Sequence, residues 1–286
     1  MEIKIVEERI NFFAGKLSEI NHKFHQWKDE FYLDSNDIEE IAQFFFIGNS
    51  INYRFWYSSA RQRFIYRKFT GSAAMWAFLK DNKNLIKPQY LALNKINENQ
   101  PGLLDFPMSS ERINSLSEAG RVLLNNFSGS ALKICEKAEW HAPTIVDIIT
   151  EQFPMWRDEQ RNVKFNKRAQ LFVAMLHGRL GKESKIRDID KLSCLADYQL
   201  PKVLRHIGIL KYSKELEDMV DSETLISKDS DYEFNIRLNT VESMKLLCEE
   251  LRNFNINVSP LQLDYALWLQ AKEISTPHHL TPTTAY

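Results

Sequence analysis

The sequence predicts a mostly α fold with at most a small β element, and three features carry that prediction. Apolar residues recur at helical spacing in well-separated segments, for example Ala169, Phe172, Val173 and Leu176, and again Met244, Leu247 and Leu251. Helix boundaries punctuate those segments, with Ser259-Pro260 as a start and Gly48 and Gly208 as stops. No Gly-rich phosphate loop, GxSxG, HExxH or kinase signature occurs, and no internal repeat or low-complexity tract.

Taken in order, residues 2–21 read as an amphipathic helix with Ile5, Ile10, Phe13 and Leu17 on one face. His22 and His25 follow, three apart, and a metal reading of the pair would need a third ligand nearby. A second helix is expected from Ser35–Asn36 to Gly48, with acids in its first turn as the helix dipole prefers. Next, NSINYRFWY mixes aromatics with Asn52 and Arg54, which suits either the wall of a base-binding site or an ordinary core strand. Phe64 to Phe69 reads as a short strand, and Gly71 opens a small-residue helix. Prolines at 88, 101 and 107 predict short helices and loops over 85–108. Ser109 or Ser110 is placed to cap a helix running to Leu124, and a shorter helix ends near Ala138. His141-Ala142-Pro143 restarts the chain, and Ile145, Ile148 and Ile149 form a stripe that Pro154 ends. After the charged loop MWRDEQRNVKF comes the helix FNKRAQLFVAMLHGRL, and later helices cover Val241 to Leu251 and SPLQLDYALWLQAKEI. The tail, TPHHLTPTTAY, is expected to be an extended, disordered segment.

Composition narrows the function. The 286 residues suffice for a substantial core, and the chain is read as one domain over 1–286, with 85–108 the place for any subdivision. Apolar residues make up 44% and charged residues 26%, as in ordinary soluble globular proteins. With 37 basic and 38 acidic side chains there is no basic excess for gripping a polynucleotide, so a small ligand is expected and no direct nucleic-acid partner. Three scattered cysteines, Cys135, Cys194 and Cys248, point to a reducing cytosol and away from a structural zinc site. The opening MEIKIVEERI is charged from residue 2, which does not suit a secretory signal. No apolar run approaches the roughly 20 residues of a membrane span. A cytoplasmic protein without a membrane partner is therefore expected.

Four residues carry the chemical interest. Asp197 sits in a turn between apolar segments, where Leu200 precedes a proline and Pro201 suits a first helical position. It reads either as a helix cap or as a site acid. Asp264 lies among Leu261, Leu263, Leu267 and Trp268 on a helix apolar almost all round, where an unpaired carboxylate costs several kcal/mol. It must meet a donor-rich partner or serve a ligand. Lys167 and Arg168 stand in first helical turns, where a dipole favours acids; they read as a phosphate site or as solvated charges.

Together, NYRFW (52–56), FNKRAQL (165–171), LADYQLPKVLRHIGILKYS (195–213) and LDYALW (263–268) resemble the queuosine salvage family, in the same order and over nearly the whole chain. The resemblance implies a helical fold resembling helix–hairpin–helix DNA glycosylases. It also implies a cofactor-free N-glycosidase releasing queuine from queuosine 5′-monophosphate. Asp197 would then be the nucleophile or cation stabiliser, and Asp264 with Tyr265 would hold the base; the reverse assignment of the two acids is also open. Leu195, where the family usually has an aromatic, would pack on the base, and Lys167 and Arg168 would meet the phosphate. Gln199 stands where the family commonly has Arg, and Leu269 where an acid often follows the tryptophan.

Overall fold

The computed structural model describes residues 2–19, 23–93, 96 and 100–286. Strand β1 (Ile3–Ile5) and helix α1 (Glu7–Leu17) replace the single helix expected over 2–21, whose residues 20 and 21 lie outside the described set, as does His22. The reason is local and distant at once. Ile3 and Ile5 alternate with Glu2 and Lys4, and β-branched side chains fit a pleated surface when a partner strand exists.

Helix α2 (Ile38–Ser50) begins at Asp37, whose carboxylate accepts from the Glu39 N–H at 2.9 Å, and is buried from Ile41 to Ser50. The segment 52–64 is an irregular loop, followed by the hairpin β2 (Ile65–Tyr66) and β3 (Phe69–Thr70) and by helix α3 (Gly71–Asp81). A short α4 (Pro88–Leu91) precedes α5 (Ser109–Asn126). Neither Ser109 nor Ser110 caps α5; Met108, in the left-handed region at φ 56, occupies that place with no side-chain cap. Helices α6 (Leu132–Lys137) and α7 (Ala142–Gln152) follow as expected. The charged loop folds into a second hairpin, β4 (Glu159–Gln160) and β5 (Val163–Lys164), which delivers the chain to α8 (Lys167–Leu180).

Helix α9 (Gln199–His206) takes in Leu200, contrary to the expected extended conformation there. Pro201 is its third residue, still within the first turn, where a missing N–H breaks no intrahelical bond. Gly208 at φ 79 reverses the chain, and Arg9 of α1 reaches over it to donate to the Ile207 carbonyl at 2.7 and 2.9 Å. Strand β6 (Leu210–Tyr212) then pairs antiparallel with β1, Ile3 opposite Tyr212.

Helix α10 (Lys214–Asp221) leads to α11 (Asp231–Asn253), which starts ten residues before the expected Val241 and is capped by the Ser230 hydroxyl on the Glu233 N–H at 3.2 Å. Its first half buries Glu233 and Arg237, and those charges interrupted the apolar period. Helix α12 (Pro260–Glu273) opens with the capping box Ser259–Gln262. Among the described residues there are thus twelve α-helices, only two-stranded sheets, and no helix long and apolar enough to cross a membrane.

Two apolar clusters organise these elements. One gathers the aromatics of α2, α3 and the loop 52–64 with α5 to α8, and the other packs α1, α9, α11 and the inner face of α12. All three cysteines are buried as free thiols within these clusters. The tail is the clearest departure from expectation. Instead of being disordered, His278, His279, Leu280 and Tyr286 are all buried. Its backbone is anchored by Ile226 N–H to Leu280 O at 2.9 Å and by Arg54 N–H to Tyr286 O at 3.0 Å. Its low hydropathy misled because Leu280, Ala285 and Tyr286 share a small apolar cluster with Trp56 and Tyr198, drawn from elsewhere in the chain. Leu280→Ala should therefore cost about 2–4 kcal/mol in denaturant unfolding. A change within about 0.5 kcal/mol, as at a free surface, would contradict the docked tail.

Candidate active site

A cavity of about 480 Å³ lies where α8, the turn before α9, and α12 meet, with the loop after α2 and the tail closing it. Asp197 is presented by the turn. Its Oδ1 accepts the Gln199 N–H at 2.7 Å. The N-cap of α9 is Tyr198, with no side-chain cap, so Asp197 is not the helix cap. One oxygen holds the turn that leads into α9, and Oδ2 faces Lys167 Nζ at 3.9 Å. Asp264 projects from α12 into the same cavity, and its Oδ2 accepts the Leu195 N–H at 2.6 Å. Leu195 lines the cavity as well, so a single tripeptide, 195–197, carries one acid and tethers the other.

Burial raises both carboxyl groups above the ordinary range, but unequally. Asp264 is pushed up well above it, by burial first and then by the charge of Asp197. Asp197 is raised by burial, which Lys167, the Gln199 and Leu200 N–H groups and Arg237 oppose. Lys167 is lowered by burial and held up by Asp197. Two acids with one lysine between them cannot both ionise cheaply. Lys167, 3.9 Å from Asp197, opposes the rise there, while the charge of Asp197 adds to the rise at Asp264, so the proton is held more tightly at Asp264.

Tyr265 forms the wall beside Asp264. Its ring stacks on His25 at 4.4 Å and on Trp268 at 5.8 Å. His25 is bonded through Nε2 to Asp29 at 2.9 Å, and no group of three or more metal-ligating side chains gathers among the described residues. Asn52, Tyr53 and Phe55 of the NYRFW stretch also line the cavity, with Trp76 from α3.

Lys167 and Arg168 part company here. Both are buried rather than solvated, but only Lys167 lines the cavity. Arg168 turns away over Tyr53 and Trp156, and spends its guanidinium on the carbonyls of Ser50, at 2.5 Å, and Met155.

Three other cations stand at the mouth. Arg63, Lys202 and Lys272 line both the cavity and the adjoining hollow, and among the described residues none is ion-paired with a carboxylate. Lys202 donates to Ala271 O at 2.9 Å, and Lys272 lies over the Trp268 ring at 3.7 Å. Both lysines are lowered by burial, with Arg63 adding to it. Asp221 and Glu223 line the hollow as well, but Asp221 is paired with Arg205 at 2.7 Å, and three cations gathered at one corner favour an anion there. The three cations come from three distant segments, so no sequence motif flagged them.

The match to known proteins covers the same residues. A family described as Queuosine salvage protein matches residues 31–286. A relative from Dictyostelium discoideum, named queuosine 5′-phosphate N-glycosylase/hydrolase, is 32% identical over 191 residues, 64% of this chain and 60% of its own length. Relatives of the same name from Mus musculus and Sphaerobacter thermophilus are each 29% identical. The alignments cover 88% and 91% of this chain, and 82% and 85% of those proteins.

Proposed function

Because the chain belongs to the queuosine salvage protein family, we propose that it hydrolyses the N-glycosidic bond of queuosine 5′-phosphate, giving queuine and ribose 5-phosphate. One observation carries the reading: two buried acids, Asp197 and Asp264, share a cavity, and Lys167 stands 3.9 Å from Asp197.

Breaking the bond leaves a sugar with oxocarbenium character, and the base departs with the bonding electron pair. An ionised Asp197 beneath the sugar stabilises that charge or attacks it. Water then adds its hydroxyl at the anomeric carbon, displacing Asp197 where it has attacked, and its proton goes to the nitrogen of the departed base. Queuine is a 7-deazapurine and lacks the ring nitrogen where purine leaving groups are often protonated, so the sugar side bears more of the work. Asp264 takes the guanine-like edge of the base, whose ring N–H and exocyclic amine supply the two donors it lacks in the free protein. Tyr265 and Leu195 pack against the ring. Lys167 acts on Asp197 rather than on the phosphate.

The phosphate belongs at Arg63, Lys202 and Lys272 rather than at Lys167 and Arg168. Lys202→Ala and Arg63→Ala should each raise KM for the 5′-nucleotide about 10-fold or more, at the strength of a charge-assisted hydrogen bond, and leave turnover of the nucleoside unchanged. Steady-state kinetics with both substrates reads this directly. Equal losses on nucleotide and nucleoside would remove the phosphate from that corner.

A further inference from the structure

Asp158 and Arg237 line no part of the cavity, yet each holds one half of the Asp197–Lys167 pair. Both are buried. Arg237 donates through Nη1 to Asp158 Oδ1 at 2.6 Å and through Nη2 to Oδ2 at 2.6 Å, a two-pronged grip on the carboxylate. Its Nε donates to the carbonyl of Ala196 at 3.0 Å, next to Asp197 in the chain. Asp158 reaches the other partner. Its Oδ2 accepts the backbone N–H of Lys167 at 3.0 Å, the first residue of α8, supplying the acid that the helix start lacks in its own sequence. Its main-chain oxygen accepts from Phe165 and Asn166 at 2.9 and 3.1 Å, fixing the left-handed residue that turns the chain into α8. The guanidinium lies over the rings of Phe165 at 4.0 Å and Tyr286 at 4.6 Å, and the Tyr286 hydroxyl donates to Glu233 at 2.9 Å.

We propose that Asp158 and Arg237 are positioning residues for the reaction: their buried pair ties the Asp197 turn to the start of α8 and so sets the 3.9 Å approach of Lys167 to Asp197. The kinetic part of this inference rests on the glycosidase reading above; the geometric part does not. An isolated buried ion pair is poor evidence of stabilisation by itself. Here the pair's spare hydrogen bonds go to the two backbone groups whose separation matters for chemistry.

Charge-conserving variants separate geometry from charge. Arg237→Lys keeps the cation but cannot grip both carboxylate oxygens and Ala196 O together, and Asp158→Glu keeps the anion on a longer arm. The charged and titratable groups facing Asp197 are Lys167 from α8, Arg237 from α11, Asp264 from α12 and the nearby Cys194 and Tyr198, and their charges stay the same in both variants. Each variant should lower kcat about 10- to 100-fold with KM within about threefold, the loss expected of a misplacement near 1 Å. The titration of the Asp197 carboxyl, followed by ¹³C NMR and assigned with Asp197→Asn, should move up by about half a unit or more as Lys167 draws away. Circular dichroism and thermal unfolding establish that each variant is folded, and either folded variant suffices. A folded variant with wild-type kcat and an unmoved Asp197 titration would overturn the proposal and leave the pair a structural tie only. If the wild type released no base, the glycosidase reading would fail, and the titration would still decide the clamp.

Discussion

Asp197→Asn should lower base release from queuosine 5′-phosphate by about 10⁴-fold, the scale of losing a group that acts on the reacting carbon. The fold should survive. Asn offers the same oxygen to the Gln199 N–H, so the turn into α9 is kept, and circular dichroism should match the wild type. KM should change little, because the base and phosphate ends of the cavity are untouched. The wild-type pH profile should follow the same group. In the role proposed for Asp197 the active form is the ionised carboxylate, and burial raises its pKa. Turnover should therefore fall as pH drops through a value above the usual carboxylate range near 3.9. A folded variant that retains turnover would move the chemistry to Asp264.

Asp264→Asn should cost about 100- to 1,000-fold in kcat/KM, the loss expected when a buried charged acceptor no longer meets its ligand donors, and yet raise thermal stability at neutral pH. The sign follows from linkage. A buried Asp with a folded pKa above its unfolded value binds more protons when folded, so stability is lost as pH rises from the unfolded toward the folded pKa. Above the folded value the penalty is present in full. Asn carries no such penalty but still accepts from Leu195 N–H. Melting curves of the two proteins should coincide below the ordinary carboxylate pKa and separate above it, the variant melting higher. A variant melting lower at neutral pH would mean that Asp264 is held for packing rather than kept, at a cost, for ligand binding.

Asp264 was legible from sequence because a carboxylate on a helix apolar on nearly every side has no cheap explanation. Asp197 was legible as a turn acid, and the family resemblance of its surroundings gave it a role. The period of 3.6 was enough for α7, α8 and α12, where burial and spacing coincide. It failed where charge is buried. Glu233 and Arg237 interrupt the apolar face of α11, and only the fold shows that they meet Gln160, Tyr286 and Asp158. Strand β1 has three residues and depends on a partner some two hundred positions away. The mouth cations are similar: Arg63, Lys202 and Lys272 are unremarkable alone, and their meaning is their proximity. Lys167 and Arg168 show the converse, since adjacent residues on a helix point in different directions and only one enters the cavity.

The most direct test of the central claim is incubation of the wild-type protein with queuosine 5′-phosphate in H₂¹⁸O, with the products separated by chromatography and weighed by mass spectrometry. Free queuine and ribose 5-phosphate carrying one ¹⁸O from solvent are expected. No base released from either the nucleotide or the nucleoside would contradict that claim, and would leave the two acids as binding groups in a nucleotide-binding helical protein.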